Sequence, residues 1–374
     1  MYKLSLLLVF ITLTVFADPR PQMNLALQAL SDLLPYLARE EKFLDKKHEK
    51  EITNNLTQLE TSFTDLKHDK IIKNDLFAPS YALIKQSISE SVKAFKEGNK
   101  NVSHWRLSEI TNQCLDCHTR LPESYASKFH EKRLTLDPKR FDSSFDLGTA
   151  QFIVRDYPAA EKSFLGVVED NLKTKNFMDT SDAFRNILMI NTKIMPDFAK
   201  MISITKKYSH HKLLPMDIQE EIGEWEARLK ELQKIKLLQS PLKDEKSVKV
   251  LISSFLEPLQ KKNEVFVENY DVDFLISSGL LSRYLFTNPG TEVGAEISYW
   301  TGWSEKVLKR SYMNSSGDLF FKQCIRRYPK NPTALRCFKE LKESAEFEFS
   351  GSAGPDLPQD VKNELSELES LISK

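Results

Sequence analysis

The chain has 374 residues, enough for two or three packed units. Its 53 Lys and Arg balance 53 Asp and Glu, so no net field draws it to nucleic acid or to an anionic membrane. Only 11 Gly, set against abundant Leu, Lys, Glu and Ser, favours helix over sheet, and the expected fold class is all-α.

Residues 1–17 read as a secretory signal peptide. Met1-Tyr2-Lys3 gives a short positive start, Leu4 to Phe16 is an almost unbroken apolar run, and Val15-Phe16-Ala17 offers a cleavage site before Asp18-Pro19. The run is shorter than the ~20 residues of a comfortable membrane span. No Cys follows it to carry a bacterial lipid anchor, and no later segment is apolar enough to span. The expectation is an exported protein with no membrane span after cleavage.

Four helical stretches are expected within residues 18–125. The first runs from about Gln22 to Glu41, with Leu25, Leu27, Leu30, Leu33, Leu34 and Leu37 as its apolar stripe and Pro35 as a kink or break. The second carries Ile52, Leu56, Leu59 and Phe63, and the third Leu83, Ile84, Ile88, Val92 and Phe95. The fourth, capped by Asn101 or Ser103, runs through Trp105, Leu107 and Ile110 into Cys114. Short polar connections imply antiparallel neighbours, hence a four-helix bundle.

The fourth stretch ends in Cys114-Leu115-Asp116-Cys117-His118, and C-x-x-C-H is the attachment sequence of a c-type haem. Two thiols at this spacing can add across the two vinyl groups of one porphyrin, and the adjacent imidazole then reaches the iron. A buried thiol pair or half of a zinc site is the bland alternative. Zinc needs further closing ligands, and there is no second C-x-x-C, while His210-His211 are adjacent rather than convergent. One covalent haem c is therefore expected on Cys114 and Cys117, with His118 as axial ligand. Together with the signal segment this points to the bacterial periplasm or the cell exterior.

With the motif closing a fourth helix, residues 18 to 120 resemble the cytochrome c-prime, or class II c-type cytochrome, family. The resemblance rests on C-x-x-C-H and on helix order. It implies an iron facing either an aliphatic residue or a Met from the first helix. Antiparallel topology sets Met23, Ala26, Leu27 and Leu30 nearest the porphyrin, with Met23 the one soft sixth-ligand candidate and the other three forming a distal pocket. His104 lies fourteen residues before His118, about 21 Å along one helix, too far to share its iron. His68 and His130 are loop candidates, and His48 reads as solvated. Arg120 could pair with a haem propionate or simply serve as a helix-end cation.

Residues 126–350 read as a helical repeat domain. Leu147-Gly148, then Ala160 and Phe164 twelve and sixteen residues beyond the Gly, resemble the tetratricopeptide signature, with Tyr157-Pro158-Ala159-Ala160 marking the inter-helix turn. A looser copy begins at Tyr299-Trp300-Thr301-Gly302 and continues through Phe320-Phe321 to Tyr328-Pro329. Between the copies, 179–195, 198–208, 217–238, 246–255 and 273–286 show helical apolar spacing, as expected of an α-solenoid. Tyr299, Trp300, Trp303 and Tyr312 read as repeat packing. Cys324 and Cys337 flank the Pro329–Pro332 turn almost symmetrically and are expected to form a disulfide. Residues 351–374 read as a linker and an amphipathic helix that caps the solenoid or docks elsewhere.

No Walker loop, dinucleotide fingerprint, nucleophile elbow or H-E-x-x-H is present. The chain reads as a non-enzymatic cytochrome passing one electron to a redox or scaffold protein bound on its repeats. The alternatives are a haem-based binder or sensor of a small gas, and a structural adaptor in which haem is a folding element.

Overall fold

The computed structural model describes residues 20–65, 77–120, 136–263, 270–312, 317–352 and 354–373. The expected signal segment, His68 and His130 lie outside them. Among the described residues the protein is all-α apart from one two-residue strand pair, as composition led us to expect.

The first unit is a bundle of α1 (Arg20–Leu37), the short α2 (Glu40–Leu44), α3 (Glu49–Asp65), α4 (Ala78–Lys96) and α5 (Lys100–Thr119). Its core takes Ala26, Leu30 and Leu33 from α1, Ile52, Leu56 and Leu59 from α3, Ile84, Ile88 and Val92 from α4, and Leu107, Ile110 and Cys114 from α5. Cross-helix bonds show neighbours running antiparallel. Tyr81 Oη donates to the Phe63 carbonyl at 2.6 Å, and Ser89 Oγ to Glu60 at 3.0 Å.

Two expectations for this unit need correction. Leu25 is 47% exposed and Trp105 62%. Leu25 lies about 100° around its helix from the centre of the buried stripe, and Trp105 lies on the face opposite Leu107 and Ile110. Asn101 and Ser103 do not cap α5, which starts at Lys100. The reversal before it is made by Gly98, whose φ of +84° suits a residue without a Cβ. The Gly98 N–H bonds the Phe95 carbonyl and the Asn99 N–H the Ala94 carbonyl, the Schellman pattern. Pro35 falls in the last turn of α1, which stops at Leu37 before α2 opens at Glu40, so the expected stretch is split in two, one of the two outcomes expected of Pro35.

The second unit stacks α6 (Ser144–Ile153), α7 (Tyr157–Thr174), α8 (Thr180–Met189), α9 (Phe198–Tyr208), α10 (Met216–Leu232), α11 (Glu245–Leu251), α12 (Glu257–Asn263), α13 (Asp271–Thr287), α14 (Gly294–Tyr312), α15 (Gly317–Arg327) and α16 (Pro332–Glu348). Single π turns extend α8 at Ile190–Ile194 and join α11 to α12 at Ile252–Leu256. Most chain neighbours pack on one another, as in a solenoid.

The two signature copies close in the same way. A methyl on Gly148 would lie 2.9 Å from Phe164 Cε1, and one on Gly302 would lie 2.8 Å from Phe321 Cε1. The missing Cβ lets each aromatic ring pack directly on the preceding helix. In the second copy the small residue is Gly317, whose carbonyl would stand 3.0 Å from that methyl. Small and aromatic residues are four apart in both copies, Ala160 with Phe164 and Gly317 with Phe321. Tyr299, Trp300 and Trp303 are buried in the repeat core, as packing requires.

The chain ends in a cap. Ser350–Gly351 pairs antiparallel with Gly354–Pro355, and α17 (Gln359–Ile372) returns to bury Leu368 against the last hairpin. Lys322 Nζ meets Glu364 at 2.7 Å across that contact. Cys324 and Cys337 are fully buried with Cα atoms 6.5 Å apart, within disulfide reach.

The units share a wall. Ala150 and Ile153 of α6 and Val154 just after it belong to the bundle core, while Phe152 of α6 belongs to the repeat core. Phe77, just before α4, packs edge-on against Phe286 in the last turn of α13, ring centroids 6.1 Å apart.

Candidate functional site

Helix α5 carries the whole motif in its last two turns. Cys114 is buried in the bundle core beside the aliphatic residues of α1 and α6. Cys117 belongs to the same helix, its side chain lying outside the described part of the structure. His118 follows, its Nδ1 2.8 Å from the carbonyl oxygen of Ile153. A carbonyl only accepts, so Nδ1 carries the proton and Nε2 keeps its lone pair. Burial, seconded by the charge of Arg155, lowers the His118 pKa from 6.5 to about 4, against the opposing pull of the Ile153 carbonyl. The ring is thus a neutral imidazole at physiological pH, with Nε2 as its basic nitrogen.

The carbonyl that orients it comes from the end of α6. There the Arg155 N–H bonds the Phe152 carbonyl at 3.0 Å, and the Asp156 N–H bonds the Gln151 carbonyl at 2.8 Å. This is the Schellman pattern already seen at Gly98, with Arg155 in the left-handed position at φ +66°. Neither bond uses the Ile153 carbonyl, which takes the His118 proton. Arg155 is 5% exposed; its Nε donates to Tyr157 Oη at 3.2 Å, and that hydroxyl donates to the His118 carbonyl at 3.4 Å.

The residues expected on the distal side are brought to the same end of the bundle. His104 Nε2 lies 3.0 Å from the Leu37 carbonyl, which sets the register of α5 against α1. Fourteen residues along each antiparallel helix, about 21 Å, lead to His118 and to Met23, which therefore lie at one level. Ala26 and Leu30 are buried in the core that holds Cys114, and Met23 and Leu27 pack against it half-buried. His48 is not simply solvated, since its ring lies 4.9 Å from that of Tyr36.

Arg120 turns into the joint between the units. Its guanidinium donates to Ser80 Oγ at 3.1 Å and stacks 4.4 Å over the Phe320 ring. Its charge also helps hold the buried Glu305 carboxyl below its ordinary range, although burial alone would raise it. A propionate role would require the guanidinium to leave this seat.

Ile153, Arg155 and the hydroxyl of Tyr157 escaped sequence reading. The partner of His118 is a main-chain carbonyl, which no side-chain motif announces. The one trace is the lack of Gly in a tight turn between two helices. Among the described residues no cluster of three or more His, Cys, Asp or Glu could hold a metal ion, and no helix is long and apolar enough to cross a membrane. Comparison with protein-family models, with curated proteins and with solved structures finds no match.

Proposed function

We propose that the chain is an exported monohaem c-type cytochrome of the class II kind, with haem held covalently by Cys114 and Cys117 and its iron by His118. The observation that carries this reading is the state of His118 beside C-x-x-C. It is partly buried, neutral and held with Nδ1 protonated, which is how a protein presents Nε2 to a metal. The donors fit the group: a thiol in an apolar wall, an oriented imidazole, and an aliphatic face from α1 opposite. Bound haem would supply one-electron redox chemistry, while the chain sets its potential, access and docking.

Electron exchange with a protein partner seated on the helical repeats is the favoured role. Export to the periplasm or cell exterior goes with it, because haem attachment through thioethers belongs with the signal-like segment. A second reading, reversible binding of a small gas, is favoured by Ala26 and Leu30, whose buried aliphatic side chains could leave the iron's sixth position open. A ferrous spectrum with and without carbon monoxide separates the two. A low-spin spectrum unmoved by the gas fits electron transfer, and a high-spin spectrum that shifts on its addition fits gas binding. The absence of any haem absorbance would refute both.

A further inference from the structure

The first unit carries the C-x-x-C-H motif, yet the groups that hold His118 come from the second. The Ile153 carbonyl accepts its Nδ1 proton at 2.8 Å, and the Tyr157 hydroxyl reaches its main-chain carbonyl at 3.4 Å. Arg155 lies between them in sequence and bonds that hydroxyl. All three belong to the turn joining α6 to α7, the first repeat-like hairpin.

Arg155 occupies a position that calls for another residue. The α4–α5 turn has the same pair of capping bonds with Gly98 in the left-handed place. In the α6–α7 turn an arginine takes φ +66° and is buried as well. A left-handed backbone is costly for an L-residue, and burial of a cation adds to that cost. Gly would serve the turn better. Strain of this kind is kept where surrounding structure holds it for a purpose.

We propose that this turn is the proximal wall of the haem site and that Arg155, acting through His118, raises the reduction potential of its iron. The inference rests on the haem reading above. Ferric haem carries one more positive charge than ferrous haem, so a cation fixed behind the axial ligand disfavours the oxidised state. In a poorly solvated site that effect is weakly screened. The repeat unit is then part of the redox centre, and the bundle alone is an incomplete cytochrome.

The test uses the full-length haem protein and three variants. Arg155→Gly keeps the turn and removes the charge; Arg155→Met removes the charge while keeping bulk; Arg155→Lys keeps the charge. Covalent haem content is measured first, then the midpoint potential by redox titration. The expected result is full haem content throughout, a lower potential in Arg155→Gly and Arg155→Met, and a potential near wild type in Arg155→Lys. Full haem content with an unchanged or raised potential in the two neutral variants would overturn the inference and leave the haem reading standing. Wild-type protein without covalent haem would overturn the haem reading itself, and this inference with it.

Discussion

Lys193 Nζ lies 2.8 Å from Glu305 Oε1, and both side chains are closed off from solvent. Lys193 sits in the π turn after α8 and Glu305 in the middle of α14, so one ion pair ties helices 112 residues apart. Ser278 Oγ donates to the same carboxylate oxygen at 2.6 Å, and Arg283 donates to the Lys193 carbonyl at 2.6 Å. Gly279 lets α13 approach that carbonyl, since a methyl there would lie 2.5 Å from it. Arg120, two residues beyond His118, adds its charge to the same carboxylate.

Breaking this pair from one side should be costly. Glu305→Gln strands a buried ammonium and is expected to destabilise by about 3–5 kcal/mol, whereas Lys193→Met with Glu305→Leu should recover part of the loss. Burial pushes the Glu305 carboxyl up, but Lys193, Arg120 and Ser278 outweigh it and hold it below its ordinary value. With the folded pKa below the unfolded one, the stabilisation is complete only above the ordinary carboxylate value of 4.5 and fades as acid passes from there down through the depressed value. Melting of wild type and Glu305→Gln across pH should show the gap closing only below that ordinary value. A gap constant down to pH 2 would contradict this.

The two glycine contacts reverse the usual sign of a helix substitution. Gly→Ala inside an exposed helix gains about 1 kcal/mol. Gly148→Ala should instead lose about 1–3 kcal/mol by crowding the Phe164 ring, and Phe164→Leu in that background should return part of it. Gly302→Ala should cost more, because the Gly317 carbonyl as well as Phe321 stands in the way and main chain cannot swing aside. Urea unfolding decides the matter. A stabilised Gly302→Ala would show that the helices are not packed this closely.

The Cys324–Cys337 pair is expected to be oxidised in exported protein. Peptide mapping without reductant should give one linked pair. Reduction should cost about 3 kcal/mol for a closed loop spanning 13 residues. Two free thiols, or a chain-to-chain dimer through Cys324, would contradict the hairpin geometry around Pro329.

Much of the fold could be read because helices announce themselves by spacing. Ile52-Leu56-Leu59-Phe63 and Ile84-Ile88-Val92 are buried as their periodicity implied, and Phe198–Tyr208 forms a helix with the expected bounds. What stayed hidden depends on contacts between segments distant in sequence. The Leu37–His104 bond, 67 residues apart, shows that Met23 and His118 share a level. Gly317 could not be assigned as the partner of Gly302 because three extra residues shift the second copy out of signature spacing. Leu25 and Trp105 misled because composition does not say which side of a helix faces a neighbour.

That shared level gives the distal side a sharp test. If Met23 binds the iron, the oxidised protein should be low-spin with a weak band near ~695 nm, and Met23→Ala should abolish the band, lower the potential and admit carbon monoxide. If Ala26, Leu27 and Leu30 form a closed aliphatic face, the wild type should already be high-spin and Met23→Ala should change little. A low-spin spectrum indifferent to Met23→Ala would contradict both arrangements.

Covalent haem on Cys114 and Cys117 is tested most directly by the mass of the denatured chain after extraction with acid acetone. Full-length protein from a host able to attach haem c should retain its Soret absorbance through extraction and carry the mass of one haem. Cys114→Ala with Cys117→Ala should carry none. Haem that extracts freely from the wild type, or a chain with no added mass, would contradict the cytochrome reading outright.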